Sequence, residues 1–524
     1  MKITRPSIDR RGFLTAGGAA LASGFPGGAS AAAGKHFITA NNSAYDTLDP
    51  HVVFDIGRIA TRLNMYDCLV RWVDNPPKLQ LWLAETIDIA PDGATYTITL
   101  KPNATFHDGT AVTAEDVVYS IERILAMKKG AYAMFNGIVA PGTTKMVDAR
   151  TVRFTLSKPY AVFASTLSEL WVINSKLARQ HEKADDWSAD WLARNEAGSG
   201  GFKLRRYDPA IGFIADRFEP HFAGFGQSNI TSTEFRVVLE TASRALGLRK
   251  GEFNTTDGYL PQDQIISLRQ SDNVQILEQE SLRTMYFIIH NQRPPLNDVN
   301  LRKALCYAFD YDGFINNILS GSVARNAGII PGTLWGAPKD LQGYTYDLDK
   351  AKQHLAMVKQ PMRPLEIGVL AGFDQSESAV QLLAAGAAKI GIEIKLNSEP
   401  WPVISGKFAD PERSHDLVPL WRSAYIADPH NWTGLIYNSR NIGAGNASFY
   451  KNDRFDELTD KALELTEIEA RRPLYEEASR ILVDDAAGLF IYNTKWFGPF
   501  TKNVHDVRFC PIGDAQDIRW MSMT

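Results

Sequence analysis

The sequence predicts a mixed α/β protein, and three observations carry that reading. Tyr96, Ile98 and Leu100 alternate with threonines, and Val152, Phe154 and Leu156 repeat the same period of two, as half-buried strands do. Between these strands Thr113-Ala-Glu-Asp116 forms a capping-box-like start, after which Val117, Val118, Ile121, Ile124 and Leu125 fall on one helical face. No repeat at a period of about 20 to 50 residues and no low-complexity tract follows the N-terminal segment, which sets aside solenoids and tethered modules.

Taken in chain order, the first element is an address rather than a structure. A basic stretch ends in Arg10-Arg11, an apolar run rich in Ala and Gly spans Leu14 to Phe25, and Ala31 and Ala33 offer a small-residue cleavage site before Gly34. That order is read as a twin-arginine export signal over 1–33, giving a mature chain from Gly34. His36 to Ala40 then reads as a short strand, Asn41 to Pro50 as a polar loop, and Ile56 to Val70 as a helix. Phe106-His107-Asp108-Gly109 reads as a turn ahead of the capped helix rather than an acid-base pair, because Gly accepts the positive φ such a turn needs. The Gly198 to Gly201 cluster marks a change of domain. Further helices are expected from Asp298 through Ala308, over Phe455 to Leu465 and over Leu474 to Val483, with strands at Met285 to His290 and Leu489 to Asn493.

Composition narrows the function. The 524 residues are 44% hydrophobic and 22% charged, as in an ordinary globular protein, and suggest roughly three domain-sized units. The formal charge of -4 becomes -7 once the four bases and one acid of 1–33 are removed. With no Lys/Arg run, nucleic acid is not an expected partner. The three cysteines, Cys68, Cys306 and Cys510, form no C-x-x-C; one disulfide is compatible with an oxidising compartment, but Cys306, in an apolar helical stretch, reads as a buried free thiol. There is no phosphate-cradling G-x-x-x-x-G-K-[ST], no H-E-x-x-H and no G-x-S-x-G, and the ten histidines are scattered. Neither an enzyme nor a cofactor or metal is expected.

Thr105-Phe-His-Asp-Gly-Thr-Ala-Val-Thr-Ala-Glu-Asp-Val-Val-Tyr-Ser-Ile-Glu-Arg123 resembles a block of the peptide, dipeptide and nickel family of ABC-transporter solute-binding proteins. Gly198 to Lys203, Asn291 to Asp312 with Pro295, Arg302, Ala304 and Asp310, the Asp428-Pro429 pair, and Ala470 to Glu477 are similar to further blocks in the same order. The resemblance spans roughly Phe37 to Trp496. It implies a periplasmic-binding-protein-like type II bilobal fold with an extra third domain: lobe I at 34–77, 199–287 and 498–524, an accessory domain at 78–198, and lobe II at 288–497.

It also implies a periplasmic receptor that holds a peptide or peptide-like ligand between two lobes and delivers it to an ABC permease; the sequence leaves the oligomeric state open, with a monomer favoured. Trp421-Arg-Ser-Ala-Tyr-Ile-Ala-Asp-Pro429 resembles the pocket segment, which makes Trp421, Ser423, Tyr425 and Asp428 candidate ligand contacts; Asn42 and Tyr45 correspond to another pocket edge. One departure bears on the ligand. Peptide-binding members place an aspartate four residues before the proline, where this chain has Tyr425, flanked by Ala424 and Ile426. A buried ammonium without an anionic partner is costly, so an opine, a sugar derivative, a glutathione-like compound or a metal chelate stands as the alternative cargo.

Overall fold

The computed structural model describes residues 34–42, 44–53, 59–257, 260–371, 373–443, 445–513 and 516–524. The expected export segment lies outside them, as do the first residues of the expected helix over Ile56 to Val70.

Among the described residues eleven strands form one sheet that runs through the molecule. Its first half reads Phe202–Asp208, Gly212–Arg217, Ile230–Val237, Lys35–Asn41 and Thr255–Thr256; its second reads Leu417–Arg422, Leu365–Leu370 and Ile394–Glu399. Two long antiparallel strands, Val274–Ile289 and Gly488–Thr501, join the halves, and Ala324–Arg325 pairs alongside the latter. In the first half Lys35–Asn41 lies parallel to both Ile230–Val237 and Thr255–Thr256, and in the second Leu365–Leu370 lies parallel to both of its neighbours. The long pair is not one uninterrupted ladder. Its register shifts between Glu280 and Thr284, so Ser281 to Arg283 stand out of register at the crossing between the halves.

A separate four-stranded sheet carries the elements most legible in the sequence. In Thr95–Leu100, Tyr96, Ile98 and Leu100 are buried while the threonines between them are half-buried. Tyr96 pairs with Phe154 and Ile98 with Val152 across the ladder, so both apolar faces point the same way. The helix Ala114–Met127 covers that face with Val117, Ile121, Ile124 and Leu125. Its start is the capping box: the Asp116 carboxylate accepts from the Thr113 N–H at 2.8 Å and its hydroxyl at 2.7 Å. The other Asp116 oxygen accepts from the backbone N–H and hydroxyl of Ser175, fixing the entry of a second helix.

Several expectations are corrected. Among the described residues the helix expected over Ile56 to Val70 covers Ile59–Met65 and stops short of Val70; Asp67–Cys68 pairs with Trp171–Val172, and Val70–Val73 makes a hairpin with Lys78–Leu81, so strand pairing captures the apolar residues that mimic a helical period. The strands expected at Met285 to His290 and Leu489 to Asn493 are the buried ends of the 16- and 14-residue crossing strands. The last long helix is Ile468–Asp484, starting six residues before the expected one; Pro473 lies inside it on the exposed side, and the buried Arg471 ties its first turn to the Ala462 carbonyl.

The Gly198 to Gly201 cluster has a steric cause. A Cβ on Gly198 would stand 2.0 Å from the Met65 carbonyl oxygen, and one on Gly200 would meet the Met65–Tyr66 peptide. Beside it, His107 is fixed between the Glu196 carboxylate at 2.7 Å and the Gly200 carbonyl at 2.8 Å. Burial opposes charge on this imidazole, but those two acceptors outweigh it and raise its pKa. Asp108 accepts from Thr110 and Asn174. Both side chains thus hold the turn. Cys68 and Cys306 are buried free thiols, and burial raises both to about 12.

Candidate functional site

Open α/β sheets present ligand-binding residues beyond the carboxyl ends of their parallel strands. Both halves of this sheet do so toward a common cleft of about 910 Å³. From the first half, Lys35–Asn41 delivers Asn42 and Tyr45, Ile230–Val237 leads to Leu239, and Thr255–Thr256 ends at Asp257. From the second, Leu365–Leu370 leads to Phe373, Asp374 and Gln375, and Leu417–Arg422 carries Trp421. The floor is the crossing itself, where the register shift brings Ser281 and Arg283 to the cleft opposite Thr494 and Lys495.

The walls are ordered before any ligand arrives. Trp421 donates from Nε1 to the Tyr492 hydroxyl at 3.2 Å, which donates to Gln375 Oε1 at 3.0 Å. The Arg283 guanidinium lies over the Trp421 ring at 5.3 Å, and Phe373 stands 6.0 Å from it. On the facing wall the Asn42 N–H donates to Asp257 Oδ2 at 3.2 Å, and Arg244 pairs with the same carboxylate at 3.3 Å. Tyr45 is a wall rather than a probe: it is buried, accepts from Asn41 at 2.6 Å and packs edge-on against Phe213 and Phe235. Leu239, Ile266, Ile318 and Phe373 are 66, 45, 44 and 40% exposed, which leaves large apolar side chains facing the cleft from both sides.

The structure therefore brings Asn42, Tyr45 and Trp421 together but leaves Ser423, Tyr425 and Asp428 off the cleft lining. Asp428 is withdrawn for a definite reason. Its oxygens meet Arg471 at 2.8 and 3.0 Å, and it caps the turn Pro429–Asn431 through the His430 N–H. The carboxylate is thus engaged in an internal pair, although burial outweighs the guanidinium and raises its pKa. Ser423 gives its carbonyl to Asn431, and Tyr425 packs beside the core of the four-stranded sheet. Among the described residues no group of three or more His, Cys, Asp and Glu is placed to hold a metal ion.

Comparison with known proteins fits this architecture. The family model "Bacterial extracellular solute-binding proteins, family 5 Middle" matches residues 78–444. The chain belongs to family 5 of the bacterial extracellular solute-binding proteins. Among its relatives in the family, the Escherichia coli protein named "Probable D,D-dipeptide-binding periplasmic protein" is 32% identical over 94% of this chain and 95% of its own length. The dipeptide-binding protein of the same organism is 26% identical over 87% of this chain and 88% of its own length. Heme-binding protein A of Haemophilus influenzae is 27% identical over 87% and 86%.

Two solved members show the same type II bilobal fold. An ABC transporter-associated periplasmic binding protein from Helicobacter pylori, in complex with a peptide, superposes with a TM-score of 0.82 at 24% identity over 94% of this chain and 98% of its own. A dipeptide-binding protein from a Pseudoalteromonas species, in complex with Met-Leu, gives 0.83 at 18% identity over 94% of this chain and 100% of its own. In a family 5 protein, a cleft walled by both halves of the sheet and floored by their crossing is the candidate solute-binding site.

Proposed function

We propose that this chain is the periplasmic receptor of an ABC importer and captures a peptide or peptide-like molecule in the cleft. Lobe I comprises 34–77, 199–287 and 498–524, lobe II comprises 288–497, and 78–198 is an accessory domain. The observation that carries the reading is one cleft, lined from both lobes, with charge of both signs among aromatic rings. Arg283 suits a ligand carboxylate, Asp257 and Asp374 suit an ammonium, and Trp421, Phe373 and the exposed aliphatic residues suit apolar side chains. A ligand touching both walls favours the closed form, and the permease then distinguishes loaded from empty receptor. Relatives named for D,D-dipeptides, dipeptides and oligopeptides support the ligand class.

In this reading the receptor performs no covalent chemistry, carries no cofactor and works as a monomer. Residues 1–33 address it to the periplasm by the twin-arginine route. The second reading, a non-peptide solute in the same cleft, is favoured by Ala424, Tyr425 and Ile426 where peptide binders carry their aspartate, and by the commitment of Asp428 to Arg471. Native mass spectrometry of the chain from Gly34 onward, followed by denaturation and identification of the released molecule, separates the two. Released peptides are expected; a single non-peptide mass establishes the second reading.

A further inference from the structure

A second cavity, of about 530 Å³, lies on the other side of the helix Ile59–Met65 from the cleft. Ile59 and Ile512 face it, whereas their chain neighbours Ala60 and Gly513 face the cleft. Its walls come from the hairpin of Val70–Val73 with Lys78–Leu81, from the turn around Phe222 and from the C-terminal segment. Trp72, Trp82, Phe222, Phe509 and Trp520 make it more aromatic than apolar packing requires.

The charge balance gives the cavity a sign. Among the described residues each carboxylate lining it is already matched: Asp517 with Arg71 at 2.9 Å and with Arg519, Asp74 with Lys78 at 4.0 Å, and Glu169 with Arg62 at 3.9 Å. Lys101 and Arg508 are not. Lys101 lies over the Phe222 ring at 5.0 Å and Arg508 over Trp520 at 4.4 Å, and among the described residues neither has a carboxylate at ion-pair distance. Burial lowers the Lys101 pKa, and the more distant carboxylates of Asp67 and Glu85, which act in the opposite direction, do not offset it. The Trp72 Nε1–H is buried and has no acceptor among the described residues, and such a donor carries a desolvation cost that a ligand oxygen would offset.

We propose that this cavity binds a small organic anion built on a flat ring, with its acid group drawn to Lys101 and Arg508 and its ring set among Trp72, Phe222 and Trp520. The site is separate from the solute cleft and does not depend on which solute the cleft takes. Ring faces supply area and orientation, the two cations supply the preference for an anion, and the volume suits a molecule of drug-fragment to drug size.

The test uses indole-3-acetate and its neutral isostere indole-3-acetamide, titrated into the full mature chain labelled with 5-fluorotryptophan. The expected result is binding of the acetate at least tenfold tighter than the amide, with fluorine resonances of Trp72 and Trp520 moving and those of Trp421 and Trp496 still. Lys101→Gln with Arg508→Gln should abolish that preference while the amide binds as before and thermal stability is kept. Equal affinities, shifts at Trp421 instead of Trp72, or no binding at millimolar acetate would overturn the site. Should the double variant lose its fold, the acetate-to-amide ratio of the unaltered chain and the positions of its shifting resonances still decide the matter.

Discussion

At the scale of single residues, Asp428 and Arg471 are buried and mutually paired, so Asp428→Ala leaves a guanidinium without its partner. A loss of about 3–5 kcal/mol is expected in urea unfolding. Trp421→Ala removes packing against two cores and the hydrogen bond to Tyr492, so it should lower the urea midpoint as well, and it should also weaken solute binding at least tenfold, about 1.4 kcal/mol, by calorimetry. Two histidines set an acid limit. Burial, then Arg123, lowers His51 to about 4, and burial, then Arg471 and Arg422, lowers His430 to about 3. Both are neutral when folded, while the unfolded chain takes up protons near the ordinary 6.5, so stability falls as pH drops through 6.5 toward 4. His430→Gln should flatten the fall of melting temperature over that interval, and an unchanged slope would remove His430 from the account. Asp428 shows where single residues mislead a sequence reader: an acid before proline at the pocket segment looks like a ligand anchor, and only the fold reveals Arg471, forty-three positions later, as its partner.

At the scale of elements, the helix Ala114–Met127 depends on a junction rather than on one cap. Thr113→Ala removes a hydroxyl whose partner retains other donors and should cost about 1 kcal/mol. Asp116→Ala strips acceptors from Thr113 and Ser175 together and should cost about 2 kcal/mol or more, read from thermal or urea unfolding. This helix and the strand Thr95–Leu100 are legible in the sequence because capping and periodicity are local. The crossing strands are legible only at their buried ends. Glu278, Gln279 and Glu280 interrupt the apolar pattern because that stretch is solvent-exposed. Half of the site escapes for a similar reason. Asp257 follows two threonines with no motif around it, and Arg283 sits in an out-of-register stretch; what places them is the pairing of strands some 200 positions apart, parallel for Asp257 and antiparallel for Arg283, which no local pattern encodes.

At the scale of the whole molecule, the lobes meet through the paired strands Val274–Ile289 and Gly488–Thr501. Closure by bending near Ser281 to Arg283 would bury Leu239, Ile266, Ile318 and Phe373 and change the angle at which Arg283 meets Trp421. Small-angle scattering should record a smaller radius of gyration on adding the solute released in native mass spectrometry, and no change for the Trp421→Ala protein at the same concentration. Export is tested at the same scale: Arg10→Lys with Arg11→Lys should hold the protein in the cytoplasm, and periplasmic recovery of that variant would remove the twin-arginine assignment. The interleaving of early and late strands also sets a timetable for biosynthesis. Lys35–Asn41 adjoins Thr255–Thr256, whose other neighbour is Gly488–Thr501. At about 5–20 residues per second, a ribosome finishes that last strand roughly 20 to 90 seconds after the first has been made. Through that interval the nascent chain carries an unfinished sheet edge, so shielding it falls to chaperones, and the protein becomes competent to bind only when translation is nearly over.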